Sequence, residues 1–134
     1  MCLVVNLMFM YYYYYFTIVL LYYCFVFAGY DQDKGPQLFF SDPSGTYLEF
    51  KGKAIGSGSE GAQISLQDKY SDTMTLVEGQ NLLLELLKLV MEESKLSSDN
   101  VEMCSLTAGP DNKGSFHIYD AAELDVIIQQ QANA

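Results

Sequence analysis

The sequence predicts a layered α+β fold, and three observations predict it. Short aromatic and β-branched runs cluster in residues 37–55 and again in 101–119. Helix-period apolar patterns fill the stretch between them and recur near the C-terminus. The elements therefore come in blocks, in the order βββ-αα-ββ-α, whereas a βαβ wheel would alternate them one by one.

Gln37-Leu38-Phe39-Phe40-Ser41 opens the first block as a short apolar strand. Asp42-Pro43-Ser44-Gly45 follows with Asp at i, Pro at i+1 and Gly at i+3 of a type I turn. Thr46-Tyr47-Leu48-Glu49-Phe50 then returns as the hairpin partner. A Lys51-Gly52-Lys53 turn leads to a third short strand at Ala54-Ile55. Ser59 is the expected N-cap of the first helix, with Glu60 at the positive end of its dipole and Ala62, Leu66 and Tyr70 recurring at i+4. Thr75-x-x-Glu78 is a capping box that starts the second helix: hydroxyl and carboxylate reciprocally satisfy orphan backbone donors. Beyond it Glu78, Asn81, Glu85, Lys88 and Glu92 form one narrow polar stripe on an otherwise apolar helix. Such a helix must be covered on most of its girth.

Ser97-Ser98-Asp99-Asn100 ends the helical block with turn formers. Val101 to Thr107 reads as a strand, Ala108 to Gly114 as a Gly/Pro/Asn loop, and Ser115 to Tyr119 as the partner strand. Asp120-x-x-Glu123 starts a last helix on Leu124, Ile127 and Ile128. The apolar faces of Leu82–Met91 and of the hairpins exceed what so few elements can cover. A partner, an assembly or a further part of the fold is expected.

The 134 residues suit one domain. Charge is unevenly spread: all 7 basic and 17 acidic groups lie at or beyond Asp31, for a net charge of −10. That balance excludes nucleic acid, whose phosphates are met by clustered Lys and Arg. Disordered, collagen-like and coiled-coil classes are excluded by the apolar content and the absence of their periods. Cys2, Cys24 and Cys104 stand at no metal or redox spacing, which points to reduced structural thiols.

Residues 1–27 form an uncharged, Tyr-rich apolar segment. Its length would span a bilayer as a transmembrane helix. Yet Tyr11 to Tyr15 sit in mid-run rather than at an interface, and the flank is Asp31-Gln32-Asp33 rather than basic. A secretory signal would need a basic start. The segment is expected to be a gene-model artefact, translated non-coding sequence or a misassigned start, because its residue types have AT-rich codons and tandem TAT triplets encode a tyrosine repeat. A membrane anchor is the alternative.

Four features could carry chemistry. Gly56-Ser57-Gly58-Ser59-Glu60-Gly61 satisfies G-x-G-x-x-G, but no second strand with a terminal acid follows at dinucleotide-fold spacing, so it reads as a tight turn before a helix. Asp31-x-Asp33-x-Gly35 mimics a calcium loop with its glycine one place early and Asp42 where Glu belongs; it reads as a turn. His117 alternates with Phe116 and Ile118, and no recognisable nucleophile and orienting acid accompany it. Glu92-Glu93 reads as a solvated helix end. No catalytic, cofactor-binding or metal-ligating residue is therefore assigned.

Several segments together carry a resemblance. Gly35-Pro36-Gln37-Leu38-Phe39, Asp42-Pro43-Ser44-Gly45-Thr46, Ala54-Ile55-Gly56-Ser57 and Ser59-Glu60-Gly61-Ala62-Gln63, with Ser65-Leu66-Gln67, Tyr70 and Met74-Thr75-Leu76, resemble the α-type subunits of the proteasome. The likeness runs from about Ala28 to Ile128, so that residues 28–134 are similar to the C-terminal part of one subunit domain. It implies a partial αββα sandwich of the N-terminal-nucleophile hydrolase type. It implies a non-catalytic α-ring subunit of the 20S core, in cytoplasm and nucleus, serving ubiquitin-dependent protein breakdown. Partners would be neighbouring α subunits and the β ring, with no cofactor, nucleic acid or small-molecule ligand, and a membrane only if residues 1–27 are expressed. Two rivals stand behind this reading: a membrane-anchored α+β interaction module, and a small hydrolase built around Ser57 or His117.

Overall fold

The computed structural model describes residues 2–6, 25–91 and 96–132. Four strands come first: β1 (Cys2–Asn6), β2 (Phe25–Asp31), β3 (Gly35–Ser41) and β4 (Tyr47–Phe50). Helices α1 (Ser59–Lys69) and α2 (Leu76–Val90) follow, then β5 (Glu102–Ala108), β6 (Gly114–Ile118) and helix α3 (Ala121–Ala132). The strands form two antiparallel sheets in the orders β2-β3-β4 and β1-β5-β6.

The layering follows from the alternation of side chains along β5. Leu106 points to the other sheet, where it packs with Leu38, Val26 and Tyr30. Met103 points the opposite way, into the main core with Leu84 of α2, Leu124 of α3, Leu96 and Val101. The order is thus sheet β2-β3-β4, sheet β1-β5-β6, then helices. α1 attaches through Leu66 to Leu82 and Leu86 of α2. The architecture is α+β and comprises three consecutive layers of an αββα sandwich, in agreement with the sequence.

Short-range signals behave as expected. In the β3–β4 hairpin the Gly45 N–H donates to the Asp42 carbonyl (3.1 Å), and Gly45 takes a φ of 87°, which glycine adopts without a steric penalty. At the start of α2, Thr75 Oγ1 accepts the Glu78 N–H (3.3 Å), while Glu78 Oε2 accepts the Thr75 N–H (2.7 Å). Thr75→Ala is expected to lower the unfolding free energy by about 1 kcal/mol, measured by urea titration. No change in the urea midpoint would mean that α2 is held by packing alone.

Three local expectations are corrected. Ala54-Ile55 is not a strand: the Ala54 N–H donates to Gln63 Oε1 of α1 (2.8 Å), and Gln63 Nε2 donates to the Gly52 carbonyl (3.3 Å). A helix side chain thus satisfies backbone groups that would otherwise seek a sheet partner. Ser59 is the first residue of α1 and not its cap. Gly58 occupies the cap with φ 74°, because a Cβ there would lie 2.7 Å from Val90 Cγ1. Tyr70 falls beyond α1, so the buried i+4 pair is Ala62 and Leu66 alone.

Two strands were not anticipated. β2 pairs Phe25, Val26 and Phe27 with Ser41, Phe40 and Phe39, so the boundary at residues 27/28 falls inside a strand. β1 pairs with β5 from Cys2↔Leu106 to Asn6↔Glu102. Tyr11–Tyr15, Cys24, Glu92 and Glu93 lie outside the described residues. Among the described residues, no helix is long and apolar enough to cross a membrane.

Four carboxyls are held below the ordinary carboxylate range. Backbone N–H donors from Lys34 and Asp33 do this for Asp31, the Ser44 hydroxyl for Asp42, the Lys51 ammonium for Asp72, and the Thr75 N–H for Glu78. A depressed folded-state pKa means that the unfolded chain binds more protons as pH falls. The stabilisation is therefore complete above the unfolded carboxylate values and disappears as pH drops through the folded ones. Urea midpoints should stay level from neutral pH down to about 5 and fall below about 4. The measurement belongs at high salt, where repulsion arising from the −10 net charge is screened. A midpoint that rises on acidification would contradict this.

Candidate functional site

Each chemistry-bearing motif has a local structural partner. The Gly56–Gly61 motif makes the tight turn into α1, with Gly56 at φ 101° and Gly58 at φ 74°; Ser57 is exposed in that turn. Asp31 folds back on the β2–β3 turn, its Oδ1 accepting the N–H of Asp33 and of Lys34, both at 2.9 Å. Among the described residues, no group of three or more His, Cys, Asp or Glu is placed to hold a metal ion.

His117 lies on the helix-facing side of β6, at the entry to α3. Its Nε2 is 3.1 Å from Glu123 Oε2, and its ring meets the edge of Tyr119 with centroids 4.7 Å apart. Glu123 also accepts the Asp120 N–H (2.9 Å) and donates its own N–H to Asp120 Oδ1 (2.9 Å). The imidazole is thus tied to the reciprocal cap of α3. Ser105, across the ladder from His117, is buried and accepts the Tyr119 hydroxyl proton at 3.2 Å. What these groups do in the fold is cap and tie.

The unusual feature is a surface. On the outer face of sheet β2-β3-β4, the alternation places Phe25, Phe27, Phe39 and Tyr47 side by side. Phe27 sits directly across from Phe39. Phe39 and Tyr47 stack with centroids 4.9 Å apart and planes 6° from parallel; Phe25 and Phe27 stack at 5.8 Å. Phe27 is 51% and Tyr47 60% exposed. Glu49 lies at the margin of this face and accepts a hydrogen bond from Gln37 Nε2 (3.1 Å). A continuous aromatic strip of this kind on a sheet face marks a surface built to be covered.

The sequence indicated that the hairpin faces needed cover, but not that Phe25 and Phe27 extend one of them. Both sides of β2 are apolar, so period-two alternation is invisible there. The signal that could have exposed it is the pairing of Phe25 and Phe27 with the Phe39 strand.

The protein-family model described as "Proteasome subunit" matches residues 3–106. The chain is similar to the proteasome subunit alpha type-5 of Dictyostelium discoideum, 52% identical over 104 residues that cover 78% of this chain and 41% of that protein. It is similar to the probable proteasome subunit alpha type-5 of Schizosaccharomyces pombe, 46% identical over 107 residues, covering 79% and 41%. The proteasome subunit alpha type-5 of Caenorhabditis elegans is 44% identical over 107 residues, covering 77% and 42%. The chain therefore spans about two-fifths of the length of the curated relatives it matches.

Proposed function

The chain belongs to the proteasome subunit family, and on that premise we propose that it acts as a structural, non-catalytic α-type component of the 20S core. Its partners would be neighbouring α subunits and the β ring. Its place would be the cytoplasm and nucleus, and its process ubiquitin-dependent protein breakdown. The observation that carries the reading is the aromatic strip of exposed Phe25, Phe27 and Tyr47 with half-buried Phe39, on a sheet face left largely accessible among the described residues.

The contribution is geometric. Burying such rings against another polypeptide removes apolar area from water, worth roughly 25 cal/mol per Å², and aromatic residues dominate the buried centres of stable interfaces. Assembly would thus cover a sheet face that the described residues leave accessible. The non-catalytic reading is supported by the local duties of these groups: His117 is tied to Glu123, Ser105 to the Tyr119 hydroxyl, and Glu123 to the Asp120 N–H.

The test is sedimentation of a C-terminally tagged chain from cells. It should travel with a high-mass, peptidase-active particle and with other proteasome subunits. Recovery only as a light soluble species would overturn the proposal, and carbonate-resistant pelleting would move the case to a membrane-anchored module.

A further inference from the structure

β6 forms an edge of sheet β1-β5-β6, and all five of its residues are exposed. Phe116 is 60% and Ile118 67% exposed, on the same side as buried Leu106. The backbone groups pointing off this edge follow from the ladder. Tyr119 N–H donates to the Met103 carbonyl (3.0 Å) and Gly109 N–H to the Lys113 carbonyl (2.7 Å), so odd-numbered β6 residues bond inward to β5. In an antiparallel ladder these groups alternate, which leaves the N–H and C=O of Gly114, Phe116 and Ile118 directed outward. Among the described residues no strand takes them up.

We propose that two copies of this chain pair antiparallel through their β6 edges, about a twofold axis at Phe116. That register makes Phe116 opposite Phe116, and Gly114 opposite Ile118 on either side of it. Each of the three pairs exchanges two N–H···O bonds, because these are the residues whose backbone groups face outward. The edge is self-complementary. Ile118 falls beside Gly114 and the Tyr30 side chain packed over it, His117 meets Ser115, and the strand carries no Asp, Glu, Lys or Arg to repel its copy. At each end Lys113 falls opposite Tyr119 of the other copy, one residue from its Asp120, so unlike charges adjoin. A free apolar edge without Pro or an inward charge is a template for another strand, and the isologous twofold is the commonest way to close it.

The inference goes beyond the ring reading and is tested on the purified chain alone, so the two fail independently. By sedimentation velocity across a micromolar concentration series, the full chain should shift to a species of twice its 15.1 kDa mass. Phe116→Lys places like charges together at the twofold and should abolish that species, with an unchanged circular dichroism spectrum because the site is exposed. Phe27→Lys, on the aromatic sheet face, should leave it intact. Phe116→Cys should cross-link on mild oxidation, since paired Cα atoms about 5.5 Å apart fit disulfide geometry. A chain monomeric at every concentration overturns the proposal, as does a dimer that survives Phe116→Lys or is lost with Phe27→Lys.

Discussion

Leu84→Ala is expected to lower the unfolding free energy by about 3 kcal/mol, within the range of roughly 2–5 kcal/mol for deleting a buried leucine side chain. Leu84 is 0% exposed and sits among Leu96, Val101, Met103 and Leu124, contacts that join α2 to β5 and α3. The layers around it are braced against one another, so the void cannot close by moving one side chain. Leu89→Ala on the same helix is the control: Leu89 is 59% exposed, and its truncation should change stability by less than about 0.5 kcal/mol. Urea titration of both variants decides the matter. Equal losses would show that α2 has no distinct buried side.

The second large effect concerns the separation of the two sheets. A Cβ added at Gly114 would lie 2.6 Å from Tyr30 Cβ and 2.9 Å from Tyr30 Cγ. The first of those atoms is anchored to the β2 backbone, so Gly114→Ala must move one sheet relative to the other. Overpacking of this kind costs about 1–3 kcal/mol. The displacement would also strain the tie in which the Tyr30 hydroxyl donates to Asn112 Oδ1 (2.6 Å) and Asn112 Nδ2 donates to the Gln32 carbonyl (2.6 Å). Gly29→Ala, where nothing lies within 4 Å, should change stability by less than about 0.5 kcal/mol. If thermal denaturation showed both variants equally affected, close approach at Gly114 would not be the cause.

Much of the fold was legible because its signals are short-range. The Thr75–Glu78 box and the Asp120–Glu123 cap each close within three residues, so the sequence contains both partners of every bond. The Asp42–Gly45 turn is equally self-contained. β2 escaped notice because its residues are apolar on both faces and its identity as a strand rests on pairing with β3. Ala54-Ile55 has strand-like residues but meets Gln63 instead of a strand. The candidate surface was half legible: excess apolar residues were evident, whereas their gathering on one face was not.

By itself, the sequence determined the α+β class, the starts of α2 and α3, the hairpin and the family resemblance. Those rest on bonds between near neighbours and on residue order. Only the tertiary structure decided which faces meet, that Gly114 must admit Tyr30, and that Phe25, Phe27, Phe39 and Tyr47 gather in one strip on the outer sheet face. Side-chain packing between distant segments is non-directional and depends on where each layer comes to rest, so no local pattern encodes it.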